Sequence, residues 1–96
     1  MRLTFHVEAD AEVTDAARYY EIQVEDLGFS FLDELDAALE RIEAHPKAAP
    51  LVGKEVRRAT LQRFPYSVLY VIEPDRIRVI AVAHQKRRPN YWQGRL

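Results

Sequence analysis

The residues with the greatest chemical reach crowd into the final stretch, His84-Gln85-Lys86-Arg87-Arg88-Pro89-Asn90-Tyr91-Trp92-Gln93-Gly94-Arg95-Leu96. Cations, two large rings and a histidine follow directly on the apolar run at residues 79–83. Guanidinium groups grip phosphate or carboxylate through paired N–H donors, and aromatic rings add contact area at interfaces. Such a segment suits phosphate binding or docking on a partner protein. It suits equally well a solvated end whose Tyr91 and Trp92 fold back over the edge of the core. Pro89 would stiffen the approach to that pair. Arg57, Arg58 and Arg63 form a second basic group, readable as a phosphate track or as charges that keep an edge strand from pairing. His84 can exchange a proton near neutral pH, so it is the candidate acid or base. By strand alternation it falls on the face of Val82, Ile80 and Arg78. Its structural use would be to bond nearby backbone or to stack beneath Tyr91 or Trp92.

Other chemistries find little support. There is no cysteine, hence no disulfide framework, thiol nucleophile or thiolate metal site. His6, His45 and His84 lack the spacing of metal ligands, so no metal is expected. Gly28, Gly53 and Gly94 are too dispersed for a phosphate-cradling loop, and no nucleotide or other cofactor is implied. Asp33, Glu34, Asp36, Glu40 and Glu43 fall mostly on the solvent side of a helix. No apolar run reaches the roughly 18 residues of a membrane span. The opening residues hold no apolar stretch of signal-peptide length, so the expected location is the cytoplasm, with no membrane partner.

The net charge of −1 conceals a division. Residues 1–45 hold 12 of the 15 acids and three arginines, a net of −9; residues 46–96 hold 11 cations and three acids, a net of +8. A basic half could steer RNA, DNA or an acidic peptide. Alternatively, acidic helices could simply lie beside a basic sheet.

The elements that must position these groups follow from period. Residues 3–7 alternate like a half-buried strand. From Asp10 the stripe Val13, Ala16, Ala17, Tyr20, Val24 and Leu27 has helical spacing, with Asp10 and Glu12 in the first turn. Gly28 breaks that pattern. Phe31, Leu32, Leu35, Leu39 and Ile42 then resume it up to Ala44. The short break implies an antiparallel hairpin of helices, in which Tyr19, Tyr20, Phe29 and Phe31 are expected mainly to pack. His45-Pro46 stops the second helix. Three strands are predicted over residues 55–61, 66–72 and 77–83, the first toward an edge and the others interior, with turns at Arg63-Phe64-Pro65 and Glu73-Pro74-Asp75. One domain over residues 1–96 is expected: a two-layer α+β fold of order β-α-α-β-β-β, its helical hairpin on a mainly antiparallel four-stranded sheet. The first strand could join at an edge or beside the last.

That order, together with Arg63-Phe64-Pro65-Tyr66, Ala83-His84, Arg87-Arg88, Pro89 and Tyr91-Trp92, resembles the RelE/ParE superfamily of bacterial toxins. Ala16-Ala17-Arg18-Tyr19-Tyr20 and Phe31-Leu32-Asp33-Glu34-Leu35 add to the likeness, which spans essentially the whole chain. The resemblance is closer to the ParE branch. It implies a type II toxin, of the plasmid-stabilising and growth-inhibiting kind, that poisons DNA gyrase by occupancy. It further implies silencing by a cognate antitoxin in a hetero-oligomer. On that reading Arg87, Arg88, Tyr91, Trp92 and Arg95 face the target, and acidic antitoxin residues meet Arg57, Arg58, Arg63 and Arg78.

Other superfamily members are ribosome-dependent ribonucleases. Their cleavage drives a ribose 2′-oxygen onto phosphate and needs a base, an acid and cations. The matching places here are Arg58, Thr60, Ser67, Gln85 and Tyr91. Only Arg58 and Tyr91 are of the required type. If the chain were such an enzyme, acting on ribosome and message, Arg58, His84 and Tyr91 would carry the reaction.

Overall fold

Helix α1 (Val7–Gln23) starts three residues before the expected Asp10, because His6 is its cap. The His6 imidazole Nδ1 accepts a hydrogen bond from the Glu8 amide at 3.0 Å, satisfying an otherwise unpartnered N–H of the first turn. Strand β1 (Arg2–Phe5) therefore ends early, and His6 belongs to a helix start rather than a strand. The computed structural model describes residues 1–96. After α1 come α2 (Leu27–Ala44), β2 (Val56–Thr60), β3 (Tyr66–Ile72), β4 (Arg76–His84) and a short 3₁₀ turn, Gln93–Arg95.

The break between the helices lies at residues 24–26, not at Gly28. Asp26 adopts a left-handed φ of 69° and makes no side-chain cap. Glu21 of α1 supplies it instead: its carboxylate accepts from the amides of Asp26 at 2.9 Å and Gly28 at 3.0 Å. Gly28 sits inside α2, where the helices touch. A Cβ there would lie 2.6 Å from the Ala17 carbonyl oxygen, so glycine is required by close approach.

The sheet order is β1-β4-β3-β2. β1 joins at an edge, parallel to β4, and the remaining pairs are antiparallel. β2 forms the other edge, as its mixed composition implied. The hairpin buries Ala9, Ala16, Phe31, Leu35, Ala38 and Ile42 against Val68, Tyr70, Ile77, Val79 and Val82. Tyr20, Phe31, Phe64 and Tyr66 meet there with ring centroids 4.9–6.1 Å apart. Phe29 does not join them, and Tyr19 touches only their margin, edge-on to Tyr20 at 5.4 Å. Tyr19 and Phe29 are 58% and 64% exposed, correcting the expectation that all four rings pack. Each is turned too far round its helix to reach the buried stripe.

Strand alternation fails in β4. Leu69 pairs with Ala81 while Tyr70 pairs with Val79, leaving Ile80 as an extra residue. Ile77, Val79 and Val82 consequently face the helices, whereas Ile80, Ala81 and Ala83 line the opposite face. His84 thus shares a face with Val82 and Val79, not with Ile80 as expected. That opposite face has its own apolar cluster of Val56, Leu69, Val71, Ile80, Ala81 and Ala83, completed by Trp92.

Candidate partner-binding site

The terminal segment turns back on itself to reach this second face. Asn90 takes a left-handed φ of 62°, a conformation that asparagine tolerates better than most residues. Trp92 then enters the apolar cluster and is only 6% exposed. Between the terminal segment, the loop at Val52 and the sheet lies a cleft of about 460 Å³. Its lining includes Arg58 and Thr60 of β2, Ser67 of β3, His84, Gln85, Arg87, Arg88 and Tyr91.

No carboxylate lines it, although the chain has 15 acids. Most other cations in the basic half are already engaged. Arg63 pairs with Glu34 at 2.8 Å, Arg76 and Arg78 with Glu73, and Arg95 with Glu12 at 2.9 Å. Arg57 donates to the carbonyls of Lys47 and Ala49, at 3.0 and 2.7 Å. Arg58, Arg87 and Arg88, by contrast, have no acidic partner; Arg87 lies 3.9 Å above the Tyr91 ring.

Glu12, outside the cleft, fixes its Tyr91 wall. β1 stops at Phe5, so β4 beyond Val79 has an open edge. There the Val82 amide donates to Glu12 at 3.0 Å, and the Ile80 carbonyl accepts from Arg95 at 3.0 Å. The Tyr91 hydroxyl donates to the same Glu12 at 2.7 Å. Burial, then the bond to the Glu12 carboxylate and its charge, hold the Tyr91 phenol far above its ordinary pKa. The Arg95 pKa is raised as well, chiefly by its bond to Glu12.

His84 stands at the rim, its ring 5.2 Å from Tyr66 and nearly perpendicular to it. Its Nδ1 accepts from the Lys86 amide at 3.0 Å, which leaves Nε2 to carry the proton of the neutral ring. It bonds neighbouring backbone, then, and packs edge-on against Tyr66 rather than stacking beneath Tyr91 or Trp92.

The sequence-derived groups are thus partly united and partly dispersed. Arg58, Thr60, Ser67, Gln85 and Tyr91, the five places matched to the ribonucleases, all line one cleft with His84. Arg87, Arg88 and Tyr91 share it too. Trp92 forms its floor and is core. Arg95 is tied down by Glu12, Glu8 and backbone with a side chain 10% exposed, so its expected target-facing place is corrected. Arg57, Arg58, Arg63 and Arg78 do not form one surface. Arg57 lies on the helix side, Arg58 in the cleft and Arg63 against α2, while Arg78 bonds Glu73 and the Arg95 carbonyl. Glu12 was overlooked as more than a first-turn acid. The available signal was its place four residues before Ala16, on the buried stripe.

Chemically the cleft offers donors: three free guanidinium groups, two hydroxyls, two side-chain amides and an imidazole. A phenol already bonded to Glu12 and held far above neutral pKa cannot serve as a base. With no carboxylate in its lining to partner an acid or base, the cleft suits gripping an anion more than cleaving one.

The architecture is thus a helical hairpin backing a small sheet whose other face is open and basic. A family model for the ParE toxin of type II toxin–antitoxin systems, parDE, matches residues 3–89, and the chain belongs to that family. In fold it is similar to a solved chain from the chromosomal ParDE toxin–antitoxin system of P. aeruginosa, with a TM-score of 0.65 and 18% identity over 88% of this chain and 95% of that one. No curated protein sequence matches it. None of its helices is long and apolar enough to cross a membrane.

Proposed function

We propose that this ParE-family toxin inhibits DNA gyrase by occupancy and is neutralised by a cognate antitoxin. The observation that carries the reading is the Tyr91–Glu12 bond. It takes the phenol out of acid–base work and leaves the cleft as a binding surface. Arg87 and Arg88, exposed beside Tyr91, are the target-facing cations. The antitoxin has a second groove to fill, about 600 Å³, between α1 and the open edge of β4. Tyr19, Tyr66, His84 and Arg87 line it, so a bound segment could gain both apolar contact and a guanidinium partner. This groove also accounts for Tyr19 being exposed.

One observation favours a second reading, a ribosome-dependent endoribonuclease: Arg58 and His84 share the cleft with all the matched positions. Two assays separate the readings. Purified toxin is added to a gyrase supercoiling reaction, and separately to translating ribosomes carrying labelled message. Loss of supercoiling with intact message is expected. Position-specific message cleavage with undisturbed supercoiling would install the ribonuclease instead.

A further inference from the structure

We infer that two copies of this chain pair edge to edge through β1, antiparallel about a two-fold axis at Thr4. The inference goes beyond gyrase inhibition and neutralisation and depends on neither. β1 is an outer strand of the sheet, so one side of its backbone has no neighbouring strand. The His6 amide bonds the Val79 carbonyl at 2.8 Å, so Arg2, Thr4 and His6 turn their backbone toward β4. Leu3 and Phe5, by alternation, turn theirs outward, away from the sheet. Elsewhere the edges are largely covered. Leu51 bridges Arg57 outside β2, the Pro50 carbonyl takes the Arg58 amide, and Glu34 takes that of Gln62. Glu12 and Arg95 cap β4 past the end of β1. No bulge, proline or lysine guards β1.

One register makes this edge complementary to itself. With Thr4 opposite its own copy, the outward-turned Leu3 and Phe5 of each strand meet Phe5 and Leu3 of the other and exchange backbone hydrogen bonds. Thr4 then forms the pair between those bonded pairs, where opposed side chains come closest. Its Oγ1 is the one buried side-chain polar atom without a hydrogen-bond partner in the single chain, and a second Thr4 hydroxyl supplies one. Charge agrees with this register, because the Arg2 end of each strand comes beside the Glu8 and Asp10 end of the other. Apolar exposure agrees as well: Met1 falls opposite Val7, and the two are 60% and 76% exposed. An unrelated strand would have to reproduce all three matches, whereas a second copy does so by symmetry. The axis crosses the sheet, so the joined sheets open both basic clefts to the same side.

The test is disulfide trapping in a full chain that has no cysteine of its own. Thr4→Cys sets two thiols on Cα atoms roughly 4.5 Å apart, within bonding range, whereas Arg2→Cys sets them about 13 Å apart. In a mild glutathione redox buffer Thr4→Cys should give linked dimer and Arg2→Cys should not. Random collision would favour the reverse, since Arg2 is the more exposed of the two. Sedimentation equilibrium of the unaltered chain reads the same association without a substitution. The apparent mass should rise from 11.2 kDa toward twice that value, with a Kd on the order of 10–100 μM for so small an interface. Val7→Glu, at an exposed helix start that favours an acid, should weaken the dimer about tenfold and leave the melting curve unchanged. If Thr4→Cys folds poorly, sedimentation with and without Val7→Glu decides alone. A chain that stays monomeric throughout the concentration series would overturn the inference, as would Arg2→Cys linking as fast as Thr4→Cys. So would a dimer untouched by Val7→Glu, which would mean that the copies meet through another face.

Discussion

Glu34 shows how a single residue in the acidic half serves the fold rather than the solvent. Its carboxylate accepts from the amides of Gln62 at 2.6 Å and Arg63 at 3.0 Å, and from the Arg63 guanidinium at 2.8 Å. Burial works against the charged form, but these bonds outweigh it and hold the pKa below the carboxylate's usual 4.5. The unfolded chain therefore binds a proton more readily than the folded one. Stability from this group is complete above about pH 4.5 and is lost as pH falls through the lowered folded value. Glu34→Gln should lower the melting temperature at pH 7, and the gap from the parent should narrow on acidification toward pH 3. A gap independent of pH would show that the carboxylate's charge is not what matters. The same residue answers the question of charge division: acid of the first half pairs with base of the second at Glu34–Arg63 and Glu12–Arg95. Arg58, Arg87 and Arg88, gathered in the cleft, are among the cations left over for a partner.

Among the elements, the helical hairpin depends on its narrowest point. Gly28 meets the Ala17 carbonyl and the Glu21 side chain, which is itself bonded to the Gly28 amide. Gly28→Ala should destabilise by about 1–3 kcal/mol, because the helices must part to admit the methyl group. This runs against the ordinary gain of replacing glycine by alanine in a helix, about 1 kcal/mol. Urea denaturation decides which term wins; a stabilised variant would mean that the helices separate without cost. Strand β4 carries the other decisive irregularity. Its extra residue, Ile80, lets one strand serve the hairpin-side core with Val79 and Val82 and the second core with Ile80 and Ala81.

For the molecule as a whole, the second core exists only because the terminal segment returns. Trp92 covers Leu69, Val71, Ile80 and Ala81, and the Glu12–Arg95–Tyr91 bonds hold it there. Truncating a buried aromatic costs about 3–5 kcal/mol. Trp92→Ala is thus expected to lower the denaturation midpoint sharply and to loosen the wall of the cleft. Tyr91→Phe keeps the ring under Arg87 and should lower the melting temperature modestly by removing the latch to Glu12. If Trp92→Ala instead left stability intact and abolished only target inhibition, the tryptophan would be an exposed anchor and not part of the core.

Periodicity alone determined the helices, the three later strands and their order, because apolar spacing of 3.6 or 2 reflects which side of an element meets water. Composition likewise set the acidic and basic halves apart. Three things were beyond its reach. The faces of β4 depended on a bulge, a pairing between Leu69, Tyr70 and their partners that no local pattern encodes. The fates of the arginines depended on acids far away in sequence, as with Arg95 and Glu12, 83 residues apart. Burial of Trp92 depended on a turn at Asn90 that points the chain back at the sheet. Each is a long-range contact, settled by closing the chain on itself, and so tertiary structure alone decided which charges were spent internally and which were left to meet a partner.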